Sequence, residues 1–364
     1  MKRLAMLVSV VLSAALFAGS AHVAQAEDFF VPVRLRNGTA HGYVRLSILY
    51  NPAVPSDVQG GSTVLAIHGI ASTGNTFTPL SRALFAQSGG TIRRIVQLNL
   101  LGHGGSTLPG PSTVLKFGDM TLSDSVETLT GVIQYLQTGR NIRIDGIVGH
   151  SMGGMLVQLT QQSLLEQGTS LRARYGVRAA VLSATTVPQP LPWRFADSGD
   201  AERLAAQFIT TTPALGTHLS VEPDAWVSLW FTNLAGELAP RAPTPAEARS
   251  LGYVAPESLV AALQLIGGQQ TRRPRVDRGA FACARGTRLS TIAYEQDTLV
   301  QPSELKALQA HLTGSAQGFV LIPGRYSVHD TVLSDPNAVA GAVVSALKPT
   351  SAPCVSGANA PATE

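Results

Sequence analysis

Short continuous apolar runs alternate with longer amphipathic stretches along most of this chain. Apolar runs of that kind are typical of strands buried on both faces of a sheet, and the amphipathic stretches are typical of helices. Two alternating segments joined at Asn37-Gly38, a hairpin turn signal, come first. The strand–helix alternation that follows predicts an α/β fold, with a mostly parallel, doubly wound sheet and helices on both faces.

The predicted elements follow one another regularly outside one long interval. The hairpin strands are Phe29–Leu35 and Tyr43–Tyr50. The later strands are Thr63–Ile67, Arg94–Leu100, Ile142–Val148, Ala179–Ala184, Ser290–Glu295 and Gly318–Ile322. The helices are Thr78–Ala86, Ser123–Gln137, Met152–Glu166, Ser303–Leu312 and Pro336–Leu347. Thr121 and Asp124 form a predicted capping box at the start of the second helix.

The alternation stops at residue 186 and resumes at residue 289. Residues 186–288 hold proline-rich joints, helical segments and few strand signals. One sheet interrupted by a mainly helical cap insertion explains this pattern better than two consecutive domains. The core therefore comprises residues 27–185 and 289–349, and the polar residues 350–364 form a C-terminal tail.

Composition excludes several classes of protein. Hydrophobic residues make up 45% of the chain and charged residues 14%, a balance that excludes intrinsic disorder. Beyond the N-terminus, no apolar run approaches the roughly 20 residues that span a bilayer. The net charge is only +4 and the sequence contains no long basic run, so neither a membrane span nor a nucleic-acid partner is predicted.

Residues 1–26 have the pattern of a secretory signal peptide. Lys2-Arg3 form a charged head, residues 4–18 are apolar, and Ala24-Gln25-Ala26 is a small-x-small cleavage site. Cleavage after Ala26 would make Glu27 the new N-terminus. An uncleaved anchor and a buried helix are the alternatives, but the apolar run is short for an anchor. The expected location is therefore periplasmic or secreted.

The two cysteines fit an exported chain, because disulfides persist in oxidising compartments. A bond between Cys283 and Cys354 would attach the tail to the core, and the chain-entropy model puts its stabilisation at roughly 4 kcal/mol for a loop of about 70 residues. The alternative is two free thiols. Two distant cysteines without clustered histidines do not form a zinc site, so no metal is predicted.

The strongest chemical signal is a G-x-S-x-G motif between a predicted strand and a predicted helix. Its residues are Gly149-His150-Ser151-Met152-Gly153. A sharp strand-to-helix turn needs glycine at both flanks, and it presents the serine hydroxyl above the sheet edge at a helix N-terminus. A serine that only caps the helix is the alternative. The context favours Ser151 as a nucleophile.

A nucleophilic serine needs a base, and the base needs an acid that orients it. His329 follows the last predicted strand, and loops at the carboxyl ends of parallel strands converge on one crevice. Asp297 lies in the turn after the strand that ends at Glu295. Glu295 is the rival acid, because strand alternation does not separate the two side chains. The turn position favours Asp297.

The oxyanion of a tetrahedral intermediate needs preorganised N–H donors. The backbone N–H of Met152, directly after the nucleophile, is one predicted donor. The N–H of Ile70, in the loop that begins with His68-Gly69, is the other. An ordinary turn at the end of a strand is the alternative for His68-Gly69.

These motifs stand in the order typical of one large family. From about residue 40 to residue 348, outside the insertion, the chain resembles the α/β-hydrolase superfamily, in particular serine esterases and lipases with a helical cap. The motifs that carry the resemblance are His68-Gly69, Gly102-His103-Gly104-Gly105-Ser106, the Ser151 turn, Asp297 and His329. The resemblance implies that the turn around His103 is structural, that no cofactor is needed, and that medium or long acyl groups suit the loop after His68.

Two positions depart from the family pattern. Many relatives carry Asp or Arg where this chain has Asn99-Leu100-Leu101. Relatives also often carry glycine before the catalytic histidine, whereas Val328 precedes His329 and Asp330 follows it. The second departure keeps the base in place but changes its loop.

All three tryptophans lie in the insertion. A small cap has little volume in which to bury large aromatic side chains, so some are predicted to face the crevice and bind an apolar substrate group. The predicted contacts are Trp193, Phe195, Trp226 and Trp230. Because Trp226 and Trp230 share one helical face, the cap's own core is the alternative for those two.

The sequence thus predicts an exported serine hydrolase that cleaves a carboxylic ester, small or polymeric, with an apolar group. Acyl transfer and amide or peptide hydrolysis use the same residues and stay alternatives. A non-catalytic binding protein is a further alternative, although no member of the triad is missing. The oligomeric state stays open.

Overall fold

Eight of the strands form one main sheet in the computed structural model, which describes residues 26–55, 60–108, 115–267 and 272–348. The strands of the described residues are β1 (Ala26–Leu35), β2 (Ala40–Tyr50), β3 (Ser62–Ile67), β4 (Ile92–Leu98), β5 (Gly146–His150), β6 (Ala179–Ser183), β7 (Ile209–Thr212), β8 (Gly216–Leu219), β9 (Glu257–Ser258), β10 (Arg288–Tyr294) and β11 (Phe319–Ile322). The main sheet has the order β1-β2-β4-β3-β5-β6-β10-β11. The hairpin β1–β2 and the pair β2–β4 are antiparallel, and the remaining neighbours are parallel.

Helices cover both faces of this sheet. The α-helices are Thr78–Gln87, Leu122–Gly139, Met152–Glu166, Leu171–Tyr175, Arg194–Asp197, Asp200–Ala206, Pro223–Phe231, Pro245–Ser250, Leu259–Ile266, Pro302–Thr313, Thr331–Ser334 and Pro336–Leu347. Short 3-10 helices span Arg36–Gly38, Gly74–Phe77, Phe117–Asp119 and Cys283–Arg285. The predicted capping box is present, since Thr121 Oγ1 accepts from Asp124 N and Asp124 accepts from Thr121 N.

The apolar residues of the central strands belong to two clusters, one on each face of the sheet. On β3, Val64 and Ala66 belong to one cluster, and Leu65 and Ile67 belong to the other. Because both faces are buried, the strand reads as a continuous apolar run rather than as an alternating one. The α/β arrangement predicted from the sequence is the one observed.

Two predicted strands are displaced along the chain. β5 begins at Gly146, whereas Ile142 and Ile144 are buried in the approach to the strand. β4 ends at Leu98 because the chain then turns, and Leu100 donates its N–H to Nε2 of His68. Apolar periodicity reports burial, and burial extends beyond the residues that pair in the sheet.

The segment between β6 and β10 covers the carboxyl edge of the sheet, and its described residues include five of the α-helices, from Arg194–Asp197 to Leu259–Ile266. It also holds a small antiparallel sheet, β7-β8-β9, that the sequence did not predict. Strands of two to four residues are too short to show a period.

No helix within the described ranges is long and apolar enough to cross a membrane. The predicted signal peptide, apart from Ala26, and the predicted C-terminal tail lie outside the described residues. Cys354 lies there too, so its bond with Cys283 stays a prediction.

Candidate active site

Ser151 occupies the turn between β5 and the helix Met152–Glu166, with φ of 50° and ψ of −120°. This strained turn needs close backbone approach on both sides. A Cβ at Gly149 would lie 2.6 Å from the Gly153 carbonyl oxygen, and one at Gly153 would lie 2.2 Å from the Ile67 oxygen. The glycines of the motif are therefore steric requirements, and they place the serine hydroxyl at the carboxyl edge of the sheet.

The structure brings the three predicted polar residues into one hydrogen-bonded chain. Ser151 Oγ lies 3.0 Å from His329 Nε2, and His329 Nδ1 lies 2.9 Å from Asp297 Oδ2. The three side chains come from the ends of β5, β10 and β11, which run parallel and finish at the same edge. A proton on Nδ1 facing the carboxylate leaves Nε2 free to accept from the serine hydroxyl.

Asp297, rather than Glu295, contacts the histidine. Asp297 is fully buried, and its Oδ1 accepts from the N–H groups of Leu299 and Val300 at 2.8 and 3.0 Å. Glu295 is exposed, and its Oε2 accepts from Gly324 N at 2.7 Å. Strand alternation would point both side chains to the same face. The turn after β10 instead directs Asp297 to His329 and leaves Glu295 on the surface.

A second carboxyl group, that of Asp330, lies buried beside the base. Burial raises the pKa of Asp330 to about 7, with His329 opposing and Asp297 reinforcing the effect. Asp330 Oδ1 lies 3.4 Å from Nε2 of His150, whose own pKa is held well below its ordinary value by burial and by His329. The His329-Asp330 step is visible in the sequence, whereas the burial of the Asp330 side chain is a property of the fold.

The protonation of His329 reflects these neighbours. Burial alone lowers the pKa of His329, but the charge and hydrogen bond of Asp297 outweigh burial, and the charge of Asp330 adds to them. The result is a pKa above the ordinary histidine value. The imidazole of His329 therefore contacts one carboxylate, that of Asp297, and is also influenced by the charge of Asp330.

The predicted oxyanion donors lie on two segments next to Ser151. We define the oxyanion loop as residues 68–73, directly after β3. A Cβ at Gly69 would lie 3.0 Å from Ser151 Cβ, so the loop packs against the nucleophile. Met152 begins its helix, where the first backbone N–H groups have no partner within the helix. Both segments adjoin Ser151, and the roles of the Ile70 and Met152 amides stay predictions.

An apolar cavity lies between Ser151 and the cap. Its described lining contains Ser151, His329 and Thr186 but no Asp, Glu, Lys or Arg side chain. The rest of the lining is carbon-rich: Ile70, Ala71, Trp193, Phe195, Ala201, Leu204, Ala205, Phe208, Leu219, Val221, Leu229, Trp230, Ala262, Leu265, Ile266, Leu299 and Val300. Three of the four aromatic contacts predicted from the sequence, Trp193, Phe195 and Trp230, line this space.

The prediction for Trp226 is wrong. Trp226 is fully buried in a cluster made mostly of cap residues and does not line the cavity, and its ring centroid lies 5.4 Å from that of Phe231 and 6.3 Å from that of Tyr253. Trp230, one turn later on the same helix, has its ring centroid 5.4 Å from that of His329. The helix therefore uses one aromatic residue for the cap's core and the next for the site.

A buried glutamate of the cap escaped the sequence analysis. Glu257 Oε2 lies 3.2 Å from His103 Nε2 and 3.3 Å from the N–H of Ala71 in the oxyanion loop. No local pattern marks it, because its partners are distant in sequence. Within the described part of the chain, no group of three or more His, Cys, Asp or Glu side chains is arranged to hold a metal ion.

The chain matches one protein family by sequence and several solved structures by fold. A model described as the alpha/beta hydrolase family matches residues 64–342. The comparison with curated proteins finds no significant match. The sequence match thus covers the oxyanion loop, the Ser151 turn, the cap, Asp297 and His329.

Solved structures share the fold at low sequence identity. A thermophilic esterase from Thermogutta terrifontis is 18% identical with a TM-score of 0.58, covering 87% of this chain and 96% of that one. A hydrolase from Pseudomonas aeruginosa is 19% identical with a TM-score of 0.56, covering 91% and 99%. An esterase from Exiguobacterium antarcticum is 14% identical with a TM-score of 0.54, covering 88% and 99%. At these identities the likeness establishes a common fold.

Proposed function

The chain belongs to the alpha/beta hydrolase family, and from this premise we propose that it cleaves carboxylic esters by way of a serine-bound acyl intermediate. The observation that carries the proposal is the hydrogen-bonded chain from Ser151 Oγ through His329 to Asp297. Two of the structurally similar proteins are esterases, which makes an ester the first substrate class to test.

In the proposed reaction, Ser151 Oγ attacks the ester carbonyl while His329 Nε2 takes its proton. Asp297 holds the imidazole in the tautomer that can accept this proton and stabilises the imidazolium that forms. The N–H groups of Ile70 and Met152 stabilise the oxyanion. His329 then returns the proton to the leaving alcohol, and water, activated by the same histidine, releases the acid and regenerates Ser151.

The cavity supports an uncharged, apolar substrate group. Its described lining is carbon-rich apart from Ser151, Thr186 and His329. A charged group would lose its hydration there, because the described lining holds no charged partner other than a protonated His329. The proposed substrate is therefore an ester with an apolar acyl or alcohol group, and the resemblance of the loop after His68 to that of the family favours a medium or long acyl chain.

Hydrolysis of p-nitrophenyl esters of graded acyl length tests this function. Each methylene buried in the cavity contributes about 0.8 kcal/mol, so kcat/KM is expected to rise about fourfold per methylene until the cavity is full. In the adipate half-ester, a carboxylate replaces the terminal methyl group of the hexanoate. This ester is expected to react at least tenfold more slowly than the hexanoate. A wild-type protein without activity on any ester, or one that prefers amides, would contradict the ester proposal.

The pH dependence of hydrolysis is expected to depend on Asp330. The neutral form of His329 is the base, so activity rises as pH rises through its pKa. An ionised Asp330 raises that pKa, and Asp330→Asn removes the charge. The acid limb of the kcat/KM profile is therefore expected to move to lower pH.

Asp335→Asn is the matched control for this measurement. Asp335 caps the helix Pro336–Leu347 through Ala338 N at 3.4 Å, and asparagine is an equally good cap. Its profile should coincide with that of the wild type. An acid limb that stays in place or moves to higher pH in Asp330→Asn would show that Asp330 does not act on the base.

We also infer that the protein is exported. The support is the signal-peptide pattern of residues 1–26 together with the paired number of cysteines. A chain that begins at Glu27 would keep all of β1 except its first residue. Export would also allow the proposed bond between Cys283 and Cys354 to form.

A further inference from the structure

The oxyanion loop and the cap are joined along a common seam. Ser72 and Val254 form an antiparallel bridge, and Ala255 donates its N–H to the Ala71 carbonyl at 3.2 Å. Next to them, Thr73 Oγ1 donates to the Gly252 carbonyl at 2.5 Å. The main chain of the loop is therefore held by the cap segment that leads into β9.

Glu257 lies two residues after Ala255, at the buried end of these contacts between the loop and the cap. Its side chain is buried, and one oxygen, Oε2, faces both Ala71 N at 3.3 Å and His103 Nε2 at 3.2 Å. The other oxygen, Oε1, accepts from Ser258 N at 3.0 Å. The carboxylate thus connects three segments: the oxyanion loop, the turn after β4 and the cap.

His103, in the turn after β4, is the partner of Glu257. Its Nδ1 lies 3.0 Å from the Leu101 carbonyl, which requires a proton on Nδ1, while Nε2 faces the carboxylate. Burial lowers the pKa of His103, but the charge and hydrogen bond of Glu257 outweigh burial and raise it. The neighbouring His68, whose ring centroid lies 4.8 Å away, has a pKa well below its ordinary value because of burial and the charge of His103. His103 and Glu257 therefore form a buried imidazole–carboxyl pair in this network.

Ala71 needs such support. Its φ of 52° lies in the left-handed region, which an alanine rarely adopts. The Ile70–Ala71 peptide is the next peptide along the chain after the one that carries the predicted donor, the Ile70 N–H. A rotation of the backbone at Ala71 would therefore move that donor. The Glu257 carboxylate accepts the N–H of this peptide and so holds it in place.

We propose that Glu257 is a positioning residue of the cap, whose carboxylate holds the oxyanion loop against the His103 turn so that the Ile70 N–H is ready for the reacting carbonyl. This inference rests on the proposed ester hydrolysis. If Glu257 holds the loop, the oxyanion site is assembled only when the cap is packed against the core. Displacing Glu257 leaves Ser151, His329 and Asp297 in place but removes the support of the loop.

Kinetics of Glu257→Ala and Glu257→Gln test this role. A misplaced oxyanion donor acts on the transition state, so Glu257→Ala is expected to lower kcat about 10- to 100-fold while KM changes less than about threefold. Affinity for an alkylboronic acid, which imitates the tetrahedral intermediate, should fall by the same factor as kcat/KM. Glu257→Gln keeps an acceptor of the same shape, so its loss should be smaller. Glu222→Gln, an exposed cap glutamate whose side chain is 77% accessible, is the matched control and should behave as the wild type.

Hydrogen exchange separates this inference from the proposed function. The Ala71 amide should exchange at least tenfold faster in Glu257→Ala than in the wild type or in Glu222→Gln, whether or not esters are cleaved. Unchanged exchange, or an effect of Glu257→Ala on KM alone, would overturn the positioning role. A wild-type protein that cleaves no ester while the exchange result holds would contradict the proposed function and leave the role of Glu257 in the loop intact.

Discussion

Replacing Ser151 by alanine is expected to lower kcat for ester hydrolysis by more than about a thousandfold. The hydroxyl is the atom that forms the acyl bond in the proposed reaction, and no other serine hydroxyl contacts His329 Nε2 among the described residues. The residual rate would come from binding and from the oxyanion donors alone. Steady-state kinetics with the preferred p-nitrophenyl ester measures the loss.

The control for this variant is Ser125→Ala. Ser125 is also a buried serine, but it lies in the helix Leu122–Gly139, and its hydroxyl donates to the Thr121 carbonyl at 3.4 Å, away from His329. Its activity should stay within twofold of the wild type. Equal thermal melting temperatures would show that both variants are folded. A Ser151→Ala protein that keeps more than about a tenth of the wild-type rate would exclude Ser151 as the nucleophile.

Asp297→Asn is expected to lower kcat on the order of 10³- to 10⁴-fold, although it changes one atom. Two backbone N–H groups, those of Leu299 and Val300, donate to Oδ1, so the amide oxygen of asparagine takes that position. Its NH₂ group then occupies the place of Oδ2, 2.9 Å from His329 Nδ1. An NH₂ donor at that distance forces Nδ1 to accept, which puts the ring proton on Nε2. A protonated Nε2 cannot take the proton of Ser151.

Glu295→Gln is the matched control, because Glu295 is the rival carboxylate two residues away. It lies on the surface and accepts from Gly324 N, a bond that glutamine can keep. Its kcat should stay within about threefold of the wild-type value. Comparable losses in both variants, or a small loss in Asp297→Asn, would remove Asp297 from the proposed mechanism.

The sequence predicted the main sheet and the three polar residues because their signals are local. Ser151 stands in a strand–turn–helix motif, and Asp297 and His329 follow strands whose apolar runs are easy to recognise. What was missed depends on contacts between distant segments. Glu257 meets His103 across 154 residues, and the two- to four-residue strands of the cap depend on pairing rather than on period.

Trp226 and Asp330 show the same limit at single side chains. Trp226 and Trp230 share a helical face, lie one helical turn apart and belong to the same apolar cluster. Trp230 also contacts the ring of His329 and lines the cavity, whereas Trp226 does not line it. Periodicity shows which face of a helix a residue occupies, but not how close it lies to a cavity. Asp330 is visible next to His329 in the sequence, but its burial, which changes its chemistry, is visible only in the fold.

The most direct test of the central claim is covalent labelling of the intact protein with a fluorophosphonate, followed by peptide mapping. Such a reagent traps an activated serine hydroxyl and needs no knowledge of the substrate. The proposed mechanism predicts one adduct per chain, located on Ser151, and none on the Ser151→Ala variant. A wild-type protein that forms no adduct, or forms it on another serine, would contradict the claim that Ser151, His329 and Asp297 constitute the active site.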